Sequence, residues 1–149
     1  KMKRDKQMTI QAPTKSYTLA SVAALVIGTV AYGIGLVNAE MPLNEKGYYL
    51  IIMLYGLFSM VSLQKTIRDK AEGIKTSSIY QTLSWASSGF AIALLAVGLY
   101  NAELALSEKG FYAMAYVLSL FAAVTVQKNV RDKDALATAD KDQAEFITE

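Results

Sequence analysis

The amino-acid sequence predicts an all-α polytopic membrane protein, with four transmembrane helices arranged as two tandem helical hairpins. Three observations support this fold class: four long runs of apolar residues, a bias of Lys and Arg to one side of those runs, and a parallel internal repeat. Of the 149 residues, 53% are hydrophobic and the mean hydropathy is +0.26. A typical soluble domain contains a smaller apolar fraction.

The four apolar runs are long enough to cross a bilayer. A transmembrane helix needs about 20 apolar residues to cross a hydrocarbon core of about 30 Å. The runs cover residues 18–37, 47–63, 82–100 and 110–126, and none contains Lys, Arg, Asp or Glu. A soluble four-helix bundle is the alternative, but its helices would carry charges on the face turned to water. Since no small-residue cleavage site ends the first run, we expect it to be a retained membrane anchor.

The basic residues predict the orientation of these spans. Thirteen of the 15 Lys and Arg residues lie before the first span, between the second and third spans, or after the fourth. The two remaining loops hold one Lys each, Lys46 and Lys109. By the positive-inside rule, the side with 13 basic residues is cytoplasmic. We therefore expect a multi-pass protein of the bacterial inner membrane with both termini in the cytoplasm.

The absence of cysteine and histidine excludes several classes of function. The chain contains neither residue, so it can form no disulfide. It also lacks the usual protein ligands of zinc, haem and iron–sulfur centres. Histidine cannot serve as a general acid or base, and no Cys nucleophile is present. We therefore expect no enzymatic activity, no cofactor and no metal site.

An internal repeat gives the clearest pattern in the chain. Residues 38–70 align without a gap on residues 101–133, with 16 identities in 33 positions. Each unit holds two spans, so both units enter and leave the membrane on the same side, which makes the repeat parallel. The predicted organisation is a polar cytoplasmic leader, a first two-helix membrane repeat, a cytoplasmic linker, a second two-helix membrane repeat and a polar cytoplasmic tail, at 1–15, 16–70, 71–78, 79–133 and 134–149.

The repeated segments predict how each hairpin is built. Asn38 and Asn101 follow the last apolar residues of their spans, where Asn tolerates the left-handed backbone that ends many helices. Asn44 and Ser107 are expected to be the N-caps of the next helices. A loop of about seven residues would then join antiparallel helices that pack as neighbours. The leader and the tail are expected to be flexible, with room for a short helix in the tail.

The repeated motifs resemble a known family. The pattern G-L-x-N-A-E-x-x-L-x-E-K-G-Y-Y, followed by F-x-x-V-x-x-Q-K-x-x-R-D-K, is similar to that of the YiaA/YiaB family of bacterial inner membrane proteins. The resemblance covers roughly residues 16–133, and the doubled motif resembles a member with two tandem copies of the two-helix domain. It implies a four-span inner membrane protein and no established biochemical activity.

Two groups of charged and polar residues are candidate functional sites. The first is a set of periplasmic loop residues: Glu40, Glu45, Lys46, Glu103, Glu108 and Lys109. They could form a cation or basic-ligand site at a pseudo-twofold axis, or simply cap helices and pair with the adjacent Lys. The second is a cytoplasmic rim that would bind anionic lipid headgroups or a partner protein: Gln64, Lys65, Arg68, Gln127, Lys128 and Arg131.

The spans favour a structural role over transport. Proton relays and coupled transporters usually carry a charged residue at mid-membrane, and none of the four runs has one. We therefore expect a structural or accessory membrane protein that acts through helix packing with itself or with a larger membrane complex. The alternative is a small oligomeric channel or transporter, its pore lined by mid-span Ser and Tyr residues. The expected partners are the lipid bilayer, a second copy of the chain or a membrane complex, and no nucleic acid.

Overall fold

The computed structural model describes residues 12–148, and this part of the chain forms four long α-helices and no strand. Residues 1–11, which make up most of the predicted leader, lie outside the described residues. The helices are α1 (Lys15–Asn38), α2 (Leu43–Ala71), α3 (Ser78–Asn101) and α4 (Leu106–Thr148). Each is long and apolar enough to cross a membrane. The predicted all-α fold with four spans is confirmed.

The helices run alternately up and down, so the bundle has two distinct ends. The connections 39–42 and 102–105 lie at one end, called the loop end below. The start of α1, the connection 72–77 and the last part of α4 lie at the other, called the terminal end. Local signals mark the helix boundaries at the terminal end. Thr14 and Ser77 accept hydrogen bonds from backbone N–H groups in the first turns of α1 and α3, as N-caps do.

The end of α2 has a defined cap as well. Gly73 adopts a φ of 78°, in the left-handed region that glycine enters without a steric penalty. Its N–H bonds to the carbonyl of Lys70 at 3.2 Å, and the N–H of Ile74 bonds to that of Asp69 at 2.8 Å. These two bonds form a Schellman motif. The chain therefore turns sharply out of α2 and enters α3 after a connection of six residues.

Two helices are longer than the membrane requires. At 1.5 Å per residue, the 29 residues of α2 span about 44 Å and the 43 residues of α4 about 65 Å. Both therefore extend past a hydrocarbon core of about 30 Å, and both do so at the terminal end, beyond residues 63 and 126. The predicted flexible tail is not separate from the last span. Instead, α4 continues through it to Thr148 as one helix.

The local geometry of the loop end differs from the prediction. The helices α2 and α4 begin one residue before Asn44 and Ser107, so neither residue is an N-cap. The cap of α2 is Pro42, which makes no side-chain capping bond, and each connection has four residues instead of seven. Asn38 is helical and donates its amide to the carbonyl of Ile34 at 2.9 Å. A side-chain bond within the helix thus replaces the expected left-handed turn.

The helices of one hairpin are not packing neighbours. The helix α1 packs along α4, and α3 packs along α2, whereas α1 and α2 make few contacts, as do α3 and α4. The helices α2 and α4 also pack on each other in the centre. The expectation that each loop joins two packed neighbours is therefore wrong. Each repeat places its first helix against the second helix of the other repeat.

The buried residues explain this arrangement. The outer helices each bury one narrow stripe, Ser21, Gly28, Tyr32 and Leu36 on α1, and Ser84, Ser88, Ala91, Leu95 and Leu99 on α3. The central helices α2 and α4 bury about twice as many residues. Small side chains at these stripes let helix backbones approach closely in a membrane. By contrast, Gly89 and Ala93 also lie at four-residue spacing but face outward.

Candidate functional site

A pseudo-twofold axis relates the two repeats and passes between α2 and α4. Tyr49 and Tyr112, equivalent positions of the repeats, stack across it with ring centroids 6.2 Å apart and an interplanar angle of 15°. Both rings are buried. Offset stacking of this kind is a favourable arrangement of aromatic rings. The axis therefore runs through the aromatic core near the loop end, and the candidate residues at both ends are arranged around it.

The aromatic residues also determine how α1 and α3 pack. A Cβ added at Gly35 would lie 2.9 Å from Phe111 Cε1 and 3.0 Å from Tyr112 Cε1. At the equivalent position, a Cβ on Gly98 would lie 2.7 Å from Cε1 of Tyr48. Glycine is needed at both sites because the rings of the other repeat occupy the space of a side chain. The Gly-Leu and Gly-Tyr-Tyr parts of the repeated motif thus contact each other across the two repeats.

The predicted loop-side residues gather around the axis at the loop end. A cleft of about 750 Å³ is lined in part by Glu40, Glu103 and Glu108. A smaller cleft of about 280 Å³ is lined in part by Glu40, Glu45 and Glu103. The two clefts are related by the axis and share Glu40 and Glu103. The structure therefore brings together the four carboxylates, which all remain exposed.

In the part of the chain that the structure describes, neither Lys46 nor Lys109 forms an ion pair with these carboxylates. Lys46 donates its ammonium to the carbonyl of Val37 at the end of α1, at 3.1 Å. Glu45 and Glu108 lie in the first turns of α2 and α4, where a negative charge complements the helix dipole. Within residues 12–148, no group of three or more acidic side chains is close enough to hold a metal ion. The helix-capping interpretation accounts for the position of Glu45 and Glu108, and the cation site remains a prediction.

The predicted rim at the terminal end contains a cross-repeat ion-pair cluster. Arg68 on α2 pairs with Asp132 on α4 at 2.6 Å, and Arg131 on α4 pairs in turn with Asp69 on α2. These four residues are called the Arg–Asp clasp below. The side chains of Asp69 and Asp132 are only 5% and 8% exposed. Removing one partner of such a pair is costly because it leaves a buried charge uncompensated.

The remaining charges of the rim support the clasp. Lys65 pairs with Asp69 at 2.7 Å and Lys128 with Asp132 at 2.9 Å, both one helical turn apart. Glu72 accepts from Arg68 at 2.6 Å and from Arg131 at 3.1 Å. Each arginine therefore has two carboxylate partners. Much of the basic charge of this rim is thus neutralised within the protein.

The clasp lowers the pKa values of its carboxyl groups. Hydrogen bonds from Lys65 and then Arg131 hold the pKa of Asp69 below its usual range. Burial alone would raise the pKa of Asp132, but the hydrogen bonds from Lys128 and Arg68 outweigh it, and the pKa is lowered. These groups lie beyond the apolar segments, at the end of the bundle that faces water. All three partners of the arginines are therefore carboxylates at neutral pH, since the pKa of Glu72 is lowered as well.

The two predicted glutamines lie in different surroundings. Gln64 lines an apolar groove of about 350 Å³ with Met60, Leu63, Ile67 and Val124. Gln127 lines a shallow cleft of about 470 Å³ beside Glu72 and Arg131. Their roles in binding lipid or a partner remain predictions.

Sequence reasoning missed the contacts between the repeats. The i, i+4 spacing of Lys65 with Asp69 and of Lys128 with Asp132 indicates an ion pair within each helix, but no local pattern joins the arginine of one repeat to the aspartate of the other. The signal was present in the doubled Arg-Asp dipeptide. When two such helices lie side by side about a twofold axis, Arg and Asp of one helix can meet Asp and Arg of its mate. The doubled dipeptide predicts the clasp only when α2 and α4 are known to lie side by side at the centre of the bundle.

The fold and the charge distribution define a four-span membrane protein built from a tandem two-helix repeat. A sequence profile for the yiaA/B two helix domain matches the chain twice, at residues 17–69 and 80–132. This chain therefore belongs to the YiaA/B two-helix domain family.

Two relatives extend the comparison. Inner membrane protein YiaA of Escherichia coli (strain K12) is 55% identical over 123 residues, which cover 83% of this chain and 85% of that protein. Uncharacterized membrane protein YubF of Bacillus subtilis (strain 168) is 37% identical over 60 residues, 40% of this chain and 69% of that protein. No solved structure matches the chain. The likeness to an inner membrane protein and the four apolar helices together support a multi-pass location in the inner membrane.

Proposed function

We propose that this protein is a structural or accessory component of the inner membrane, without enzymatic activity, that acts through helix packing. The observation that carries the proposal is the way the bundle uses its mid-span hydroxyl groups. Tyr116 donates to the carbonyl of Ile52 at 3.1 Å, and Ser119 donates to that of Ala115 at 2.7 Å. Both side chains are almost fully buried. The Tyr116 hydroxyl thus joins α4 to α2, whereas the Ser119 hydroxyl is satisfied within α4, and neither is left free to line a path.

The outer surface supports the same role. Large apolar side chains are exposed along all four helices, among them Val26 and Ile27 on α1, Phe58 on α2, Phe90 on α3 and Phe121 on α4. In a bilayer, this surface is covered by lipid tails or by helices of another membrane protein. It offers four lateral faces to such partners, and the ion-pair clusters lie outside the apolar layer.

The proposed orientation places the terminal end in the cytoplasm. The described Lys and Arg residues of the terminal end would then satisfy the positive-inside rule, and the Glu-rich loop end would face the periplasm. Lys70 and Lys133 are exposed and take part in no ion pair among residues 12–148, so they remain free to attract anionic headgroups.

Cysteine labelling tests this orientation, since the chain has no native cysteine. In intact spheroplasts, a membrane-impermeant maleimide should label Ala102→Cys but not Lys75→Cys. The second position should become reactive only after the membrane is permeabilised. Labelling of Lys75→Cys in intact spheroplasts would reverse the assignment.

Extraction from native membranes tests the accessory role. The tagged protein is taken up with its surrounding lipid in polymer nanodiscs, and native mass spectrometry then reports its partners. The proposal expects a reproducible stoichiometric assembly with itself or another membrane protein. A matched pair of variants locates the face: Phe58→Ala and Phe121→Ala remove outward aromatic rings from α2 and α4. If every preparation contained only monomer and lipid, the accessory role would lose its support.

A second candidate is a pore shared between copies of the chain. A groove of about 200 Å³ between α2 and α3 has a mostly apolar surface, and its lining residues include the hydroxyl-bearing Tyr55, Ser59, Ser62, Tyr80, Ser84 and Ser87. The Ser59 hydroxyl is buried and has no hydrogen-bond partner within the described residues. A pore between two copies would therefore require these hydroxyl groups to turn toward the facing grooves. In proteoliposomes, substrate-specific flux that Ser59→Val abolishes and Ser87→Val reduces would favour the pore over the accessory role.

A further inference from the structure

The two helices of one repeat do not bury each other's apolar faces. The helices α1 and α2 make few contacts with each other, and the same is true of α3 and α4. The buried stripe of α1 packs on α4, so the first repeat finishes its packing only against the second. For the purpose of burial, the folding unit is a pair of two-helix repeats. An isolated repeat would leave that stripe exposed to lipid or to another protein.

The surface between the repeats is reciprocal. Gly35 of the first repeat receives the ring of Phe111, and Gly98 of the second receives the ring of Tyr48. The Arg–Asp clasp has the same property, because each repeat contributes one arginine and one aspartate. Such reciprocity is the defining feature of an isologous interface between two copies of one subunit. The surface therefore fits any second two-helix repeat that carries the same residues.

We propose that this repeat–repeat surface also works between chains, and that its partner is a second copy of this protein. In the exchanged dimer, the first repeat of one chain binds the second repeat of the other, and the remaining two repeats pair in the same way. The Arg–Asp clasp and the glycine–aromatic contacts are then formed between chains at both repeat–repeat surfaces of the dimer. The proposal goes beyond the accessory role and does not depend on it, since a channel could use the same exchange.

The connection between the repeats is compatible with exchange. It has six exposed or half-buried residues, and exchange requires the turn at Gly73, held by two backbone hydrogen bonds, to open. A short connection gives the closed chain a high effective concentration of its own second repeat, so closed monomers dominate when both pairings are equally good. Exchange becomes dominant when the closed pairing is weakened and the pairing between chains is not.

The family comparison agrees with a pairing unit of one repeat. The match to the Bacillus subtilis protein is 60 residues long and makes up 69% of that protein. The remainder is too short for a second 53-residue domain of the kind matched at 17–69. In a protein with one such domain, the same surface would be left to lipid or to a separate chain.

Charge reversal in full-length chains tests the proposal. The first-repeat variant carries Arg68→Asp with Asp69→Arg, and the second-repeat variant carries Arg131→Asp with Asp132→Arg. In either variant alone, a closed chain opposes like charges at both ion pairs of the clasp. In an exchanged dimer of the two variants, the reversed first repeat of one chain binds the reversed second repeat of the other. The two unchanged repeats bind each other in the same way, so the clasp is restored at both surfaces.

The readout is a cross-link that reports which chain α1 packs on. Ser21 on α1 and Asn129 on α4 lie side by side, with the amide nitrogen of Asn129 3.2 Å from the Ser21 hydroxyl. Ser21→Cys is placed in the first-repeat variant and Asn129→Cys in the second, each with its own tag. The two chains are co-expressed and treated with a short bifunctional thiol reagent in native membranes. A cysteine at Val117, which is exposed on α4, replaces Asn129→Cys as the control for random collision.

We expect the two complementary variants to give roughly tenfold more cross-linked heterodimer than two chains with wild-type charges, because opposed like charges disfavour the closed form. The variant with all four reversals in one chain is the matched control. It keeps the new repulsions within each helix but restores the clasp of the closed chain. When this chain carries both Ser21→Cys and Asn129→Cys, its cross-link should form within one chain.

Two outcomes would overturn the proposal. One is an equal, background-level yield of heterodimer for complementary variants and for wild-type charges while the four-reversal chain is folded and monomeric. The other outcome is measured without charge reversal, so it applies even if the reversed chains fold poorly. If chains with wild-type charges, carrying one cysteine each and strongly overproduced, give no more heterodimer than the Val117 control, the surface does not act between chains.

Discussion

Arg68 and Asp132 are 64 residues apart in the sequence, and their side chains meet at 2.6 Å between the two central helices. The reverse pair, Arg131 and Asp69, meets beside it. Both lie where α2 and α4 leave the apolar layer. Two carboxylates that would otherwise be costly to bury are thereby neutralised, and the two repeats are held in register about their axis.

The clasp is expected to stabilise the fold measurably. Asp132→Asn removes the charge that faces Arg68, and should lower the free energy of unfolding by about 1–3 kcal/mol, because the arginine loses a largely buried partner. Thermal unfolding in mild detergent measures the effect. A double-mutant cycle of Arg68→Gln and Asp132→Asn isolates the pair, and Lys70→Gln is the control outside any described ion pair. Additive single effects would show that the two residues are not coupled.

Acid should weaken the same cluster. The folded pKa values of Asp69, Glu72 and Asp132 lie below their ordinary values of 3.8, 4.5 and 3.8. Stability from a lowered pKa is fully present above the unfolded pKa and is lost as the pH falls through the folded pKa. The melting temperature should therefore be steady near neutral pH and fall below about pH 4.5. If Asp69→Asn with Asp132→Asn left the slope of that acid decline unchanged, these carboxylates would not be its cause.

Gly56 should tolerate no side chain while Tyr116 is present. A Cβ at Gly56 would overlap the Tyr116 hydroxyl, which is almost fully buried and bonded to Ile52. Gly56→Ala should cost about 1–3 kcal/mol of stability through overpacking. Gly89→Ala, where an added Cβ meets nothing within 4 Å, should be neutral or slightly stabilising.

Removing the obstructing hydroxyl gives a second check of that contact. Tyr116→Phe alone should cost about 1 kcal/mol for the lost hydrogen bond. Combined with Gly56→Ala, it should restore part of the lost melting temperature, because the closest contact disappears. A double variant as unstable as the sum of the single variants would argue against this packing.

The last turns of α4 should be dispensable for folding. The buried residues of this helix end at Asp132, and the side chains from 137 to 148 are exposed. A chain ending after residue 136 should keep its free energy of unfolding to within about 0.5 kcal/mol, and its melting temperature should barely change, because surface changes usually have small effects. A chain ending after residue 130 is the matched comparison and should unfold readily, since it lacks Arg131 and Asp132. Equal stability of the two truncations would contradict the role of the clasp.

Much of the fold followed from local features of the sequence. The uncharged runs predicted all four helices. The pair of Lys65 with Asp69, at 2.7 Å, is likewise of the kind that an i, i+4 spacing indicates. Both depend on neighbours in the chain or on contact with lipid. The tail is helical although its composition is polar, because it continues the preceding span. That span supplies a nucleated helix onto which the tail adds turns at little cost.

The sequence does not predict which helices pack against each other in the same direct way. The buried stripe of α1 has no mark that distinguishes α2 from α4 as its neighbour, and a short loop favoured the helix next in sequence. The choice depends on the fit of Gly35 to the Phe111 and Tyr112 rings and of Gly28 to Ser119. Such shape complementarity involves residues more than 70 positions apart. The clasp was missed for the same reason.

The connection at 72–77 has a consequence for how the protein can change over generations. In an assembly of identical subunits, every substitution occurs on both sides of the interface at once. Here one gene product carries both sides, so each can be altered alone. Tyr116 occupies the position that Met53 holds in the first repeat, and Asn129 the position of Thr66, so their hydrogen bonds to Ile52 and Ser21 have no mirror image. Because the two repeats are covalently joined, the two halves of a pseudosymmetric bundle can carry different residues.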